Sequence, residues 1–173
     1  GLEIVKVENL SVHGGSNRIY AMKKGVGYVE ESVEQNKTYE RILGLDKLET
    51  FVRFAEKVNQ SKSDLLRLLK KCKQEGKKVI SYGASSKSTT IFNYCGIGPD
   101  LISYITDTTP EKQGKLSPGM HIPVMSPEQG FNETVDYAYL GAWNFIQEIK
   151  NKEKDFVNGG GKFISHVPLV KFV

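Results

Sequence analysis

The run Val79-Ile80-Ser81-Tyr82-Gly83-Ala84-Ser85-Ser86-Lys87-Ser88-Thr89-Thr90 joins an apolar stretch to a turn of small residues carrying one lysine and several hydroxyls. Small residues let backbone N–H groups approach an anion closely, and a helix N-terminus adds partial positive charge. Lys87 supplies a full charge. The stretch therefore reads as a phosphate seat, most naturally that of a nucleotide. A tight strand–helix connection with no ligand is the competing reading, because the pattern is neither GxGxxG nor the P-loop, which needs two glycines before Lys-Ser/Thr.

Other groups of reactive type are scattered along the chain. Asp107-Thr108-Thr109-Pro110-Glu111-Lys112-Gln113 begins where a strand should end. An acid there accepts ribose hydroxyls in dinucleotide folds, and Lys112 can reach a phosphate. An Asx-type turn before proline, with solvated lysines, explains the same residues. His13-Gly14-Gly15-Ser16-Asn17-Arg18 offers an imidazole that titrates near neutrality, a permissive glycine pair and a guanidinium. His121 sits in a Pro118-Gly119 turn, His166 in the last strand pattern, and Trp143-Asn144 after another strand. The three histidines share no ligand spacing, so no metal site is expected. Nucleophilic serine chemistry has no Gly-x-Ser-x-Gly elbow to support it.

The elements that must position these groups alternate. Residues 2–12 and 17–24 pattern as two strands around the Val12–Ser16 turn, and Val33 to Leu43 carries a helical turn or two. Leu48, Phe51, Val52, Ala55 and Val58, then Leu65, Leu66, Leu69 and Cys72, recur at three- and four-residue steps. They predict one long helix from an Asp46 cap to a Gly76 stop. Strands are expected at 78–82, 101–106, 122–125, 135–140 and 162–167, with helices at 86–94 and 144–156 and a capped turn at 126–130. Strands separated by helices predict a parallel sheet covered on both faces. Ligands of such sheets bind beyond the carboxyl ends of the strands, so the loops after Tyr82, Thr106 and Leu140 should share one rim.

Composition sets bounds on partners. The 173 residues carry 24 basic and 20 acidic side chains, a net charge of +4. That is too mild to argue for nucleic acid and suits a small anionic ligand. No apolar run is long enough to cross a bilayer, so no membrane partner is expected. Cys72 and Cys95 read as buried free thiols in a reducing, cytoplasmic setting. The chain opens in mid-strand at Gly1-Leu2-Glu3-Ile4-Val5, which predicts a piece of a longer protein.

Taken in order, the motifs extend over almost the whole chain. They are His13-Gly14-Gly15-Ser16-x-Arg18, Tyr82-Gly83-Ala84-Ser85-x-Lys87 and Asp107-x-x-Pro110-x-Lys112-Gln113-Gly114-Lys115. Pro118-Gly119-x-x-Ile122-Pro123, Ala142-Trp143-Asn144-Phe145 and Gly160-Gly161-Lys162-Phe163-Ile164 follow. This set resembles the C-terminal domain of the sugar C-methyltransferases, which move a methyl group from S-adenosylmethionine to a carbon of a nucleotide-linked deoxysugar. The resemblance implies an α/β fold: a Rossmann-like, mostly parallel sheet with helices on both faces, preceded by a short N-terminal strand pair. Residues 1–30 would be strands linking from an upstream methyltransferase domain, and residues 31–173 the nucleotide-sugar-binding domain.

The resemblance also implies a substrate-side role. The nucleotide-linked sugar, with dTDP favoured, would be held by Gly14, Gly15, Ser16, Arg18, Tyr82, Gly83, Ala84, Ser85, Ser86, Lys87, Asp107, Lys112, Gln113, His121, Ile122, Trp143 and Asn144. His13 is the one nearby residue that could serve as the base. S-adenosylmethionine would belong to the full-length parent and not to this segment, which lacks the family's acidic-Gly-x-Gly loop and would be inactive alone. The chain departs from the family pattern at Ser88, usually Gly, and at Thr109, usually Asn. Ser88 is expected to add bulk where the backbone comes closest to the ligand. Two other readings stand beside this one: a dinucleotide- or coenzyme-A-binding Rossmann module, and an assembly domain whose pocket has decayed.

Overall fold

A computed structural model describes residues 1–132 and 134–173. The chain divides into two compact units, Gly1–Val58 and Asn59–Val173.

In the first unit, β1 (Leu2–Leu10) and β2 (Ser16–Lys23) form an antiparallel pair, as the two apolar runs predict. Between them His13, Gly14 and Gly15 all adopt positive φ. Glycine takes that conformation freely, whereas it costs a residue with a Cβ roughly 1 kcal/mol. Helix α1 (Glu31–Ile42) is a full twelve residues, longer than its polar sequence suggests. It is docked on β1 by Glu30 N–H to Val5 O (2.8 Å) and Val7 N–H to Ser32 Oγ (3.2 Å), with Val5, Val7 and Val33 buried. Helix α2 (Leu48–Gln74) is the single long helix of the apolar pattern and crosses from the first unit into the second.

The second unit is built on a six-stranded sheet. Its strands are β3 (Val79–Tyr82), β4 (Ile105–Thr106), β5 (Val124–Met125), β6 (Tyr137–Leu140), β7 (Lys162–Ser165) and β8 (Lys171–Phe172), in the order β5-β4-β3-β6-β7-β8. All pairs are parallel except β7 with β8. The first strand of the sheet therefore lies at its centre, and the chain winds outward first to one side and then to the other. That is the doubly wound, Rossmann-like arrangement, with its switch point between β3 and β6.

Side chains alternate across the sheet with the period of two that strands impose. Val79, Tyr139 and Ile164 pack on one face with Leu65, Leu69 and Cys72 of α2 and with Phe92 and Cys95 of α3 (Ser86–Cys95). Ile80, Tyr82, Ala138, Leu140 and Phe163 pack on the other with Ile149 of α5 (Ile146–Lys152) and Phe156 of α6 (Lys154–Asn158). Between them, α4 (Pro127–Gly130) is a single turn capped by Ser126 with Pro127 at its first position, as its sequence predicts.

Several boundaries differ from the sequence reading. The strand expected from Leu101 shrinks to Ile105–Thr106, because Leu101 and Ile102 form a turn whose side chains still enter the core. The helix expected over 144–156 is broken: a 3-10 turn over Trp143–Phe145 precedes α5, and the backbone bends at Glu153 before α6. No described helix is long and apolar enough to cross a membrane.

Candidate functional site

Three loops leave the carboxyl ends of β3, β4 and β6, and hydrogen bonds tie them together. Gly83 N–H donates to Thr106 O (2.7 Å), and Gly141 N–H donates to Tyr82 O (2.8 Å). Gly83 has φ of 91°, and a Cβ on it would stand 3.4 Å from that of Ala142. A Cβ on Gly141 would lie 2.5 Å from Gly83 O and 2.9 Å from Ser88 Cβ. The rim is therefore closed at the switch point by two glycines whose backbones nearly touch.

Helix α3 starts on this rim with a reciprocal cap. Ser88 N–H donates to Ser85 Oγ (3.1 Å) and Ser85 N–H donates to Ser88 Oγ (3.0 Å), while Ser85 Oγ–H reaches Gly141 O (2.8 Å). Ser88 is buried, and its hydroxyl is directed at the Gly83 and Ser85 carbonyls (2.9 and 2.8 Å). Its bulk thus lies beneath the loop and not on the loop's exposed surface. Ala84 N–H donates to Asp107 Oδ2 (2.7 Å). With Gly83, Ala84, Ser85 and Ser88 all engaged, Ser86 and Lys87 are the first-turn N–H groups left without a partner among the described residues.

Asp107 is almost wholly buried at the end of β4. Its Oδ2 also accepts from Lys112 Nζ (3.1 Å), and its Oδ1 accepts from Thr109 N–H (2.9 Å). Burial alone would raise its pKa. The hydrogen bonds from Thr109, Lys112 and Ala84 outweigh that and hold the carboxyl below its ordinary value. Lys112 donates a second bond to Ala84 O (2.9 Å), and Gln113 Nε2 donates to Asp107 O (2.9 Å).

Beside the rim runs a groove of about 580 Å³ between α3 (Ser86, Thr89, Thr90) and the Glu111–Pro118 segment, which contributes Lys112, Lys115, Leu116 and Ser117. That volume is ordinary for a small-molecule site. A second cavity of about 540 Å³, lined by Phe131, Phe156, Lys152 and Glu153 among others, includes Gly161 of the last motif but none of the residues expected to hold the substrate.

The structure gathers Gly83, Ala84, Ser85, Ser86, Lys87, Asp107, Lys112 and Gln113 on one rim, with Trp143 and Asn144 in the turn after β6. Asn144 Oδ1 is buried there without a partner among the described residues. Other expected positions lie elsewhere. Tyr82 turns its ring into the core against Phe131 (centroids 5.8 Å), and burial raises its phenol pKa. Ile122 is fully buried in the core. Segments 114–117 and 122–124 run antiparallel, through Gly114 N–H to Val124 O and Ser117 N–H to Ile122 O. His121 lies in the turn that joins them, toward the amino ends of the strands and away from the rim.

In the first unit, His13 is exposed at the β1–β2 turn, and Arg18 pairs with Glu8 at 3.4 Å. Gly15 and Ser16 line a hollow of about 630 Å³ with Asn36, Tyr39 and Glu40. Sequence reasoning missed Gly141; Thr109 and Lys115 belong to the Asp107–Lys115 motif but are not among the residues expected to hold the substrate. A glycine directly after an apolar strand was the available signal for Gly141.

A doubly wound domain with a basic rim at the carboxyl ends of its strands is the class of protein these features define. The C-methyltransferase C-terminal domain family matches residues 11–168, and the chain belongs to that family. It is 36% identical over 169 residues to the C-methyltransferase NovU of Streptomyces niveus, a match covering 97% of this chain and 40% of that relative.

Proposed function

We propose that this chain is the substrate-holding domain of a sugar C-methyltransferase, seating the diphosphate of a nucleotide-linked sugar at the start of α3. The observation that carries this reading is the pair of unpartnered N–H groups at Ser86 and Lys87, in a chain of this family. They open a ten-residue helix, with Lys87 on its first turn and Lys112 on the neighbouring loop. A helix N-terminus contributes roughly 0.3–1 kcal/mol to an anion. A charge-assisted hydrogen bond contributes about 1.5–3 kcal/mol, so the lysines would carry most of the affinity.

S-adenosylmethionine supplies an electrophilic methyl group wherever a C-methyltransferase holds it. The rim residues do not fit it. The acid that would accept its ribose hydroxyls, Asp107, is occupied by Ala84, Thr109 and Lys112, and the nearby charges of Lys87 and Lys112 oppose a sulfonium cation. No methyl-transfer step is therefore derived through these residues, and the cofactor is assigned to a part of the enzyme outside this chain. The surface offered to that part is in the first unit, where Leu2, Ile19, Met22, Val26 and Tyr28 are exposed. Because the match spans 40% of NovU, such an upstream methyltransferase domain is the partner this reading names.

Calorimetric titration with dTDP, GDP and S-adenosylmethionine tests the assignment. A nucleoside diphosphate is expected to bind, with affinity falling as salt rises, and Lys87→Ala is expected to weaken it about tenfold. Binding of S-adenosylmethionine with no response to any nucleotide would sink the idea. NAD and coenzyme A in the same series test the dinucleotide alternative, which the engagement of Asp107 disfavours.

A further inference from the structure

We propose that Asp107 is a positioning residue: with Lys112 it clamps the peptide of Ala84, fixing the loop that leaves Ser86 and Lys87 free for an anion, and does not itself touch the ligand. The inference rests on the function proposed above and deepens it. An acid at the end of the second strand of a doubly wound sheet ordinarily faces a ribose. Here that acid faces the protein.

The clamp grips both polar groups of one residue. Ala84 N–H donates to Asp107 Oδ2 at 2.7 Å, and Ala84 O accepts from Lys112 Nζ at 2.9 Å. Lys112 and Asp107 are joined to each other at 3.1 Å, which closes the ring of contacts. The Ala84 methyl packs against the core but carries no polar group, so these two bonds are what orient its N–H and carbonyl. Thr109 N–H occupies the remaining carboxylate oxygen at 2.9 Å, so both oxygens of Asp107 are engaged by its own chain. Three donors fill three of the roughly four acceptor positions of the carboxylate, and its burial leaves the fourth little access for a ribose hydroxyl.

Clamping has a directional consequence. With Ala84 held, the next N–H, that of Ser85, turns to Ser88 Oγ, and the two that follow are left unpartnered. Two of the three ammonium hydrogens of Lys112 are committed to the clamp, and the third is available to the groove that Lys112 lines. Asp107 thereby also sets where that third hydrogen points.

Titration of the chain with inorganic pyrophosphate and with dTDP separates the two roles, because pyrophosphate has no ribose. Asp107→Asn keeps the volume of the side chain and removes its charge. It is expected to weaken both probes by the same factor, about fivefold. Lys112→Met is expected to weaken both as well, and the double variant to be no weaker than the worse single, as residues acting as a unit require. Loss of dTDP binding with pyrophosphate unchanged would overturn the proposal, as would additive losses. Amide exchange by NMR gives an independent reading. The Ala84 N–H is expected to be protected in the native chain and to lose protection in Asp107→Asn while the thermal midpoint stays within a few degrees. An Ala84 N–H already unprotected in the native chain overturns the clamp. If the native chain binds neither probe, the proposed function fails, and the exchange of Ala84 still decides the clamp.

Discussion

At the scale of single residues, the rim is governed by what lies beneath it. Ser88 is held in a capping box: its hydroxyl accepts from Ser85 N–H and is directed at the Gly83 carbonyl, so a side chain meets polar groups of the loop that would otherwise lack a partner. Gly141 is the complementary position. An alanine there must push aside the Gly83 carbonyl, which would stand 2.5 Å from its Cβ, and a backbone atom cannot swing away as a side chain can. Gly141→Ala is expected to destabilise the second unit by about 1–3 kcal/mol, the usual cost of overpacking. Adding Ser88→Gly should not rescue it, because the clash with Gly83 O remains. Urea unfolding midpoints of both variants check this; full recovery in the double variant would place the strain at Ser88.

The elements carry a pH dependence of their own, distinct from that of Asp107 on the rim. His166 directly follows β7 and lies over Tyr139 of β6, its Nδ1 2.8 Å from the phenol oxygen and the rings stacked with centroids 5.5 Å apart. Burial lowers its pKa below the ordinary 6.5. The unfolded chain therefore takes up a proton at a pH where the folded chain still resists it. Stability from this group is complete above about pH 6.5 and is lost as pH falls through the folded value. Thermal midpoints measured from pH 8 to pH 5 should decline over that window in the native chain. In His166→Gln the decline should be smaller, since glutamine does not titrate, and parallel curves for the two proteins would refute the linkage. Tyr139 is itself deeply buried, and burial raises its phenol pKa, so it stays neutral throughout.

Across the whole molecule, α2 shows how burial divides one continuous pattern. Its 27 residues extend about 40 Å at the helical rise, far more than a four-residue strand needs to be covered. Leu65 and Leu69 are sealed against the sheet at 1% and 0% exposure, whereas Phe51 and Phe54, on the same stripe, are 52% and 64% exposed. Leu69→Ala should therefore cost about 2–5 kcal/mol, and Phe54→Ala should change stability by less than about 0.5 kcal/mol in this chain. Chemical denaturation of the two variants decides it; similar losses would mean that Phe54 is covered. Periodicity made α2, β3, α3 and a parallel sheet covered on both faces legible, because each depends on which residues must be buried. It did not reveal β8, whose two residues have no period to read, or the break at Glu153. The sequence by itself determined the fold class and the loops that would meet at the carboxyl rim, since local apolar patterns and chain order decide both. Only the tertiary structure decided that Asp107 faces Ala84, that Ser88 points inward, that Ile122 lies in the core and that His121 lies off the rim. Those outcomes depend on which polar groups become neighbours across loops distant in sequence, and a buried N–H takes the acceptor that folding brings to it.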